Sequence, residues 1–181
     1  MNTETESSFV VPEMVISHFH IKDGDTVADF GAGSGHFLAE LARRVGSGRV
    51  YACEIQKALV EKIGEQARST GLHNIHPLWC DLEEPNGVKV QDGALDVGVL
   101  ANTLFQIEDK EAAVKEMNRT IHVGGRLVII DWTDSFNGMG PAASHVITQE
   151  EATALLESNG FVLEQTFPAG SHHYGVIFRK V

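Results

Sequence analysis

The sequence predicts an α/β fold: a doubly wound, mostly parallel sheet of seven strands with helices on both faces. Short, largely apolar segments alternate with helical patterns over five strands, which is typical of parallel strands covered on both sides. A glycine-rich turn directly follows the first of these strands. The last two strands are joined by a link too short for a crossover, which predicts an antiparallel C-terminal hairpin.

The chain begins with a short leading helix and one complete βα unit. Residues 12–19 carry apolar side chains at helical spacing after a proline, which predicts the leading helix. Residues 26–30 form an apolar strand, and residues 35–45 present one apolar face, which predicts the first strand and the helix after the turn. The glycines of the turn occupy alternate positions, at Gly31, Gly33 and Gly35.

Glycine breaks and apolar periodicity place the elements that follow. Further strands are predicted at residues 49–53, 75–80, 94–101 and 126–132. Further helices are predicted at residues 55–69 and 110–121. Gly124 and Gly125 are expected to separate the second of these helices from the strand after it. The tail then supplies a helix at residues 149–158 and the hairpin strands at residues 161–167 and 172–179.

Length and composition limit the classes of protein to consider. A chain of 181 residues, 43% of them hydrophobic, is long enough for one sizeable core and short for two, which predicts a single domain over residues 21–181. The leading helix is assigned to a separate N-terminal helix or cap over residues 1–20. Lys and Arg number 14 against 25 Asp and Glu, and the net charge of −11 argues against nucleic-acid binding. The chain has two cysteines, Cys53 and Cys80, which are predicted to be buried thiols of a cytoplasmic protein. No apolar run is long enough to span a membrane, so membrane insertion is not expected.

The glycine turn suggests a nucleotide-like ligand. Alternate glycines leave the backbone bare, so an anionic ligand can approach main-chain N–H groups where a helix begins, although the glycines can also serve only a tight βα turn. The dinucleotide fingerprint G-x-G-x-x-G fails, because its last position counted from Gly31 falls on His36. Glu54, nineteen positions after Gly35, can accept hydrogen bonds from both hydroxyls of a ribose. Glu54 alone does not separate nicotinamide cofactors from other nucleotides.

Several motifs together resemble the class I S-adenosylmethionine-dependent methyltransferases. They are D-F-G-A-G-S-G at residues 29–35, C-E-I at residues 53–55, C-D-L at residues 80–82 and the seven-strand pattern. The resemblance covers residues 20–181 and is nearest to the small-molecule enzymes that include the ubiquinone and menaquinone C-methyltransferases. It implies a Rossmann-like sheet, S-adenosylmethionine as methyl donor, S-adenosylhomocysteine as product and a small-molecule methyl acceptor as partner.

The same resemblance implies a set of cofactor-binding residues, namely Asp29, Gly31, Gly33, Gly35, Glu54, Asp81, Leu82 and Asn102. Asp29 and Asn102 would lie at the methionyl end of the donor, with the glycines along its methionyl and ribose parts. Glu54 would hold the ribose hydroxyls, and Asp81 would meet the adenine amino group with Leu82 beside the ring. Seen alone, Glu54 is equally explained as a solvated charge at a strand end and Asp81 as the cap of a helix or turn.

Methyl transfer from a sulfonium is an in-line displacement on an activated carbon, so positioning the acceptor atom can supply much of the rate. A side chain that removes a proton assists where the acceptor must lose one. Asp131, at the end of the fifth strand, and His145 are the predicted catalytic residues, and His172 is a further candidate. The long, glycine-containing loop over residues 133–147 is expected to act as a mobile lid that brings Phe136, Met139 and His145 to the acceptor.

Two other functions remain open at this point. A nicotinamide-dependent oxidoreductase is disfavoured by the glycine spacing and by the terminal hairpin. A non-catalytic module that binds S-adenosylmethionine would keep the same donor residues. No metal site is predicted, because no pair of candidate ligands has a diagnostic spacing. The acceptor and the oligomeric state carry no motif.

Overall fold

The computed structural model describes residues 10–136 and 140–181. The strands are β1 (Thr26–Phe30), β2 (Arg49–Glu54), β3 (Ile75–Trp79), β4 (Leu95–Ala101), β5 (Ile121–Trp132), β6 (Phe161–Pro168) and β7 (His173–Lys180). They form a seven-stranded sheet in the order β3-β2-β1-β4-β5-β7-β6. The pairs among β1 to β5 are parallel, whereas β7 is antiparallel to both β5 and β6. The predicted fold class, including the C-terminal hairpin, is confirmed.

Helices cover both faces of this sheet. They are α1 (Pro12–Val15), α2 (Leu38–Val45), α3 (Lys57–Thr70), α4 (Lys110–Thr120) and α5 (Gln149–Glu157), with 3₁₀ turns at Ile16–Phe19, Leu104–Gln106 and Ala143–His145. One hydrophobic cluster joins alternate strand residues such as Ile130 to α2 and α3, and a second joins their neighbours such as Ile129 to α4 and α5. Side chains of successive strand residues point to opposite faces, so each strand contributes to both clusters.

The helix after the glycine turn begins later than the sequence predicted. The apolar pattern predicts a start at residue 35, whereas α2 begins at Leu38. Gly31, Gly33 and Gly35 have φ angles of 75°, 55° and 87°, which belong to the left-handed region and cannot continue into a right-handed helix. The N–H of Gly35 donates to the carbonyl of Ala32 at 2.8 Å, so the turn is closed by its own backbone.

The predicted break between α4 and the fifth strand is also wrong. Gly124 and Gly125 lie inside β5, which begins at Ile121 directly after α4. The pairing of β5 with β4 shifts register between Leu95 and Val97, and the glycines lie on the longer side of this irregularity. Glycine is well suited to such a local irregularity because it carries no side chain that must be packed.

The leading segment packs against the main domain. The predicted leading helix over residues 12–19 is a single α-helical turn followed by a 3₁₀ turn. Val10, Val15 and Phe19 are buried in the same hydrophobic cluster as α2 and α3. The division at residue 20 stays a prediction. Among the described residues, no helix combines the length and the apolar character that crossing a membrane requires.

Gly98 tests how tightly the centre of the sheet is packed. A Cβ added at Gly98 in β4 would lie 2.6 Å from a ring carbon of Phe30, which is fully buried. We expect Gly98→Ala to lower the free energy of unfolding by about 1–3 kcal/mol through overpacking, as measured by urea denaturation. Gly64→Ala in α3 is the matched control, since its Cβ has no atom nearer than 3.4 Å, and it should be neutral or stabilising. Equal stability losses in both variants would contradict the packing argument.

Candidate active site

A cavity of about 610 Å³ lies over the carboxyl ends of β1, β2 and β4 and beside the residues that follow β3. The predicted donor residues that line it are Asp29, Gly31, Gly33, Glu54, Asp81, Leu82 and Asn102. These positions meet because the strands are parallel neighbours, so their carboxyl ends share one edge of the sheet. Gly35 does not line the cavity; a Cβ there would lie 3.1 Å from Leu38.

Glu54 ties the glycine turn to the end of β2. Its Oε2 accepts a hydrogen bond from the N–H of Gly33 at 2.9 Å, and its Oε1 accepts one from the N–H of Gln56 at 2.9 Å. The residue is only 6% exposed, so the alternative of a solvated charge at a strand end does not hold. A carboxylate accepts about four hydrogen bonds, so both oxygens retain capacity for a ligand.

The N–H groups of the glycine turn are not free to bind an anionic ligand, contrary to the expectation from the sequence. The N–H groups of Gly31 and Ala32 both donate to the carbonyl of Cys53 at 2.9 Å, and that of Gly33 donates to Glu54. With the Gly35 N–H also donating within the turn, the glycine amides are not free to bind an anion at a helix N-terminus. A Cβ at Gly33 would have no atom nearer than 4.0 Å, so this glycine leaves open space along the cavity. The turn therefore provides room for a ligand, and Glu54 provides polar contacts.

Asp29 lies next to Glu54 in a position that favours a cation. It is only 3% exposed, and burial of its carboxyl raises the pKa of Asp29 to about 7, with the negative charge of Glu54 as a second cause. A bound ammonium group would offset both the burial and the repulsion. Asp29 therefore offers a buried carboxylate that suits a cationic ligand group.

Asp81 and Asn102 complete the cavity wall. The Oδ1 of Asp81 accepts a hydrogen bond from the N–H of Glu83 at 3.0 Å, so Asp81 caps a turn, which was the alternative considered for it. Asp81 also lines the cavity. Asn102 has a left-handed φ of 53°, and its backbone N–H donates to the carbonyl of Ile130 at 2.8 Å. Its buried Oδ1 has no hydrogen-bond partner among the described residues, which leaves an acceptor oxygen for a ligand.

The predicted catalytic residues lie apart from this cavity. Asp131 is 1% exposed, and its carboxylate accepts hydrogen bonds from the N–H groups of Trp132 at 2.8 Å and Phe105 at 3.3 Å. Burial raises the pKa of Asp131 to about 6. His145 is exposed at the end of its 3₁₀ turn, and neither residue lines the cavity. Their catalytic roles stay predictions.

The loop predicted as a lid is only partly described. Met139 lies outside the described residues. In the described part, the ring of Phe136 stacks on His172 with centroids 4.0 Å apart, and His172 pairs with Asp134 at 2.9 Å. These contacts tie the start of the loop to the residue just before β7, so the candidate His172 is engaged outside the cavity.

Sequence reasoning missed several residues of the cavity wall, namely Val10, His36, Gln56, Thr103 and Gln106. Nε2 of His36 donates to the carbonyl of Val10 at 3.0 Å, so the leading segment is connected to the glycine turn. Gln56 and Thr103 are close in sequence to Glu54 and Asn102, and this adjacency was the available signal. No pattern links Val10 to the cavity. Within the described ranges, no group of three or more His, Cys, Asp or Glu residues could hold a metal ion.

Comparison with known proteins identifies the family. A family model described as a methyltransferase domain matches residues 21–160. The chain belongs to this methyltransferase family. The ubiquinone/menaquinone biosynthesis C-methyltransferase UbiE of Idiomarina loihiensis is 30% identical over 115 residues, which are 62% of this chain and 45% of that protein. UbiE of Haemophilus ducreyi is 29% identical over the same length and is covered to 43%. The match thus spans less than half the length of these relatives.

Solved structures agree with this assignment. A crystal structure of an S-adenosylmethionine-dependent methyltransferase from Aquifex aeolicus has a TM-score of 0.88 and 28% identity, covering 96% of this chain and 92% of that one. The geranyl diphosphate C-methyltransferase of Streptomyces coelicolor has a TM-score of 0.76 at 17% identity, covering 94% and 79%, and shows likeness of fold alone. The predicted family is confirmed: this is a class I methyltransferase domain, with S-adenosylmethionine as its cofactor.

The raised pKa of Asp29 predicts a pH-dependent contribution to stability. The folded chain binds this proton more tightly than the unfolded chain between about pH 4 and pH 7, so the stabilisation is complete below pH 4 and is lost as the pH rises through 7. We expect Asp29→Asn to raise the free energy of unfolding at pH 8 by on the order of 2–4 kcal/mol, and the difference to vanish toward pH 4. Urea denaturation at a series of pH values measures this.

The control is Glu65→Gln, at an exposed position on α3. It should stay within about 0.5 kcal/mol of the parent at every pH, as surface substitutions usually do. An Asp29→Asn difference that does not change between pH 4 and pH 8 would show that Asp29 does not titrate in this range.

Proposed function

We propose that this domain transfers the methyl group of S-adenosylmethionine to a small-molecule acceptor by in-line displacement, with the donor bound in the cavity over the glycine turn. The observation that carries the proposal is the meeting of the predicted donor residues around one cavity. These residues come from four separate parts of the chain and converge only in the fold.

In the proposed arrangement, the donor lies across the carboxyl edge of the sheet. Asp29 and the free Oδ1 of Asn102 receive the methionyl ammonium, because both offer oxygen acceptors in a buried setting. Glu54 holds the ribose hydroxyls with the acceptor capacity that remains beside Gly33 and Gln56. Asp81 receives the adenine amino group, and Leu82 packs beside the ring.

Methyl transfer requires the protein mainly to align the donor and the acceptor. The carbon that is transferred is already activated by the positive sulfur, so holding donor and acceptor in line can supply up to roughly 7–11 kcal/mol of the barrier. Asp131 acts in this proposal by holding the backbone of Phe105 after β4, since its carboxylate is used there. His145 remains a proposed proton acceptor on the acceptor side.

A small-molecule acceptor is supported by charge and by the relatives. A net charge of −11 disfavours the phosphate backbone of nucleic acids. The relatives named for C-methylation act in ubiquinone and menaquinone biosynthesis, according to their names. A non-catalytic donor-binding module would share the cavity and would differ only in turnover.

Donor binding should depend on Glu54. We expect Glu54→Ala to weaken S-adenosylhomocysteine binding roughly tenfold to hundredfold, because charge-assisted hydrogen bonds contribute about 1.5–3 kcal/mol. Isothermal titration calorimetry measures this. Glu54→Gln keeps one oxygen for the Gly33 N–H and should lose less affinity, which separates ligand contacts from disorder of the turn.

Glu61→Ala, at an exposed position on α3, is the matched control and should bind as the parent does. Unchanged affinity in a folded Glu54→Ala variant would remove Glu54 from the donor site. Failure of the parent protein itself to bind S-adenosylhomocysteine would overturn the donor site as a whole.

Turnover distinguishes an enzyme from a binding module. Incubation with methyl-labelled S-adenosylmethionine and panels of phenols, amines, thiols and quinone precursors should transfer label to one chemical class. Stoichiometric donor binding without label transfer to any class would favour the non-catalytic alternative.

A further inference from the structure

Cys53 and Cys80 lie together at the edge of the donor cavity. Cys53 is the last residue but one of β2, and Cys80 directly follows β3. The parallel register places Cys53 beside Leu78, two residues before Cys80, and both cysteines belong to the cluster on the α4 and α5 face. Both are free thiols, 1% and 2% exposed, and both line the donor cavity.

The two thiols lie at the ends of neighbouring strands on the same face of the sheet. The neighbouring Cys53 thiol lowers the pKa of Cys80, and the Cys80 thiol together with burial raises that of Cys53. Lys89 also lowers the pKa of Cys80 and favours its thiolate. Within this pair, Cys80 is therefore the nucleophile, and Cys53 is the resolving thiol beside it.

Each cysteine directly precedes a residue of the proposed donor site. Cys53 stands before Glu54, and Cys80 stands before Asp81. The carbonyl of Cys53 additionally accepts the N–H groups of Gly31 and Ala32, and the N–H of Cys80 donates to the carbonyl of Glu54 at 3.1 Å. Cys53 pairs with Leu78, two residues before Cys80, so bringing the two sulfurs to bonding distance would shift the ends of β2 and β3, and with them both carboxylates.

We propose that Cys53 and Cys80 form a reversible disulfide with a peroxide as oxidant, and that this modification weakens donor binding. The Cys80 thiolate attacks one peroxide oxygen, which gives a sulfenic acid and releases one water once protonated. The Cys53 thiol then attacks the sulfenic sulfur, forms the S–S bond and releases a second water. Two thiols and one hydrogen peroxide thus give one disulfide and two waters, and a dithiol reverses the change.

The coupling must be reciprocal. If the disulfide form binds the donor tenfold more weakly, saturation with S-adenosylhomocysteine raises the midpoint potential of the thiol pair by about 30 mV. A bound donor also covers the cavity wall from which a small oxidant reaches the thiols. Donor should therefore slow oxidation of the pair.

The test treats the whole chain with hydrogen peroxide, with and without S-adenosylhomocysteine, followed by intact mass and peptide mapping. We expect a monomer lighter by two hydrogens with a peptide link between Cys53 and Cys80, formed at least tenfold more slowly with ligand. Calorimetry should show at least a tenfold loss of affinity after oxidation and its recovery after reduction with dithiothreitol. This consequence rests on the proposed donor site, whereas the mass result does not.

Cys53→Ala and Cys80→Ala are two independent controls, so a folding failure in one leaves the other. In Cys80→Ala, which lacks the thiol that attacks peroxide, the affinity should be the same before and after peroxide unless methionine oxidation alone weakens binding. In Cys53→Ala, peptide mapping should find oxidised Cys80 and no link between the two positions. Absence of the intramolecular link in the parent, or an oxidised parent whose affinity stays within twofold of the reduced one, would overturn the proposal. If the reduced parent does not bind ligand, the proposed function fails, and the mass result still decides whether the disulfide forms.

Discussion

The hydrogen bond from the Gly33 N–H to Glu54 organises the whole site. It fixes the glycine turn against the end of β2 and thereby fixes the shape of the cavity that both elements line. It also keeps a carboxylate buried beside Asp29, which adds to the burial that raises the pKa of Asp29. The same contact therefore provides a binding group and stores repulsion that a cationic ligand can relieve.

The fold tolerates the repulsion between Asp29 and Glu54 because Asp29 lies in a central strand of the sheet. β1 lies inside the sheet between β2 and β4, and its residues pair on both sides. Two hydrophobic clusters hold the strand from above and below through Val27 and Phe30. Backbone pairing and apolar packing of this extent fix Asp29 in an environment that an exposed chain would avoid, which is how folds commonly retain unfavourable groups at functional sites.

Most strands could be predicted from the sequence because buried parallel strands are continuous apolar runs. The errors fall where glycine has more than one use. The left-handed backbone at Gly35 delays the helix that the pattern starts there, and Gly124 and Gly125 lie in an irregularity inside β5 where the pattern predicts a break. The donor residues could be predicted because they lie at or just after the carboxyl ends of strands. Val10 reaches the cavity only through tertiary packing, which no local spacing records.

Alternation along the strands places Asp131 and Asp29 on opposite faces of the sheet, which limits where an acceptor can approach. Ile129 and its alternate neighbours belong to the α4 and α5 face, so Asp131 points to that face, where it meets Phe105. Asp29 is two residues after Val27 in β1, so both side chains point to the other face of the sheet, which α2 and the leading segment cover. In the proposed arrangement the methionyl end of the donor lies on that second face. Groups that contact an acceptor there must come from elements covering it, and Val10 shows that the leading segment already does.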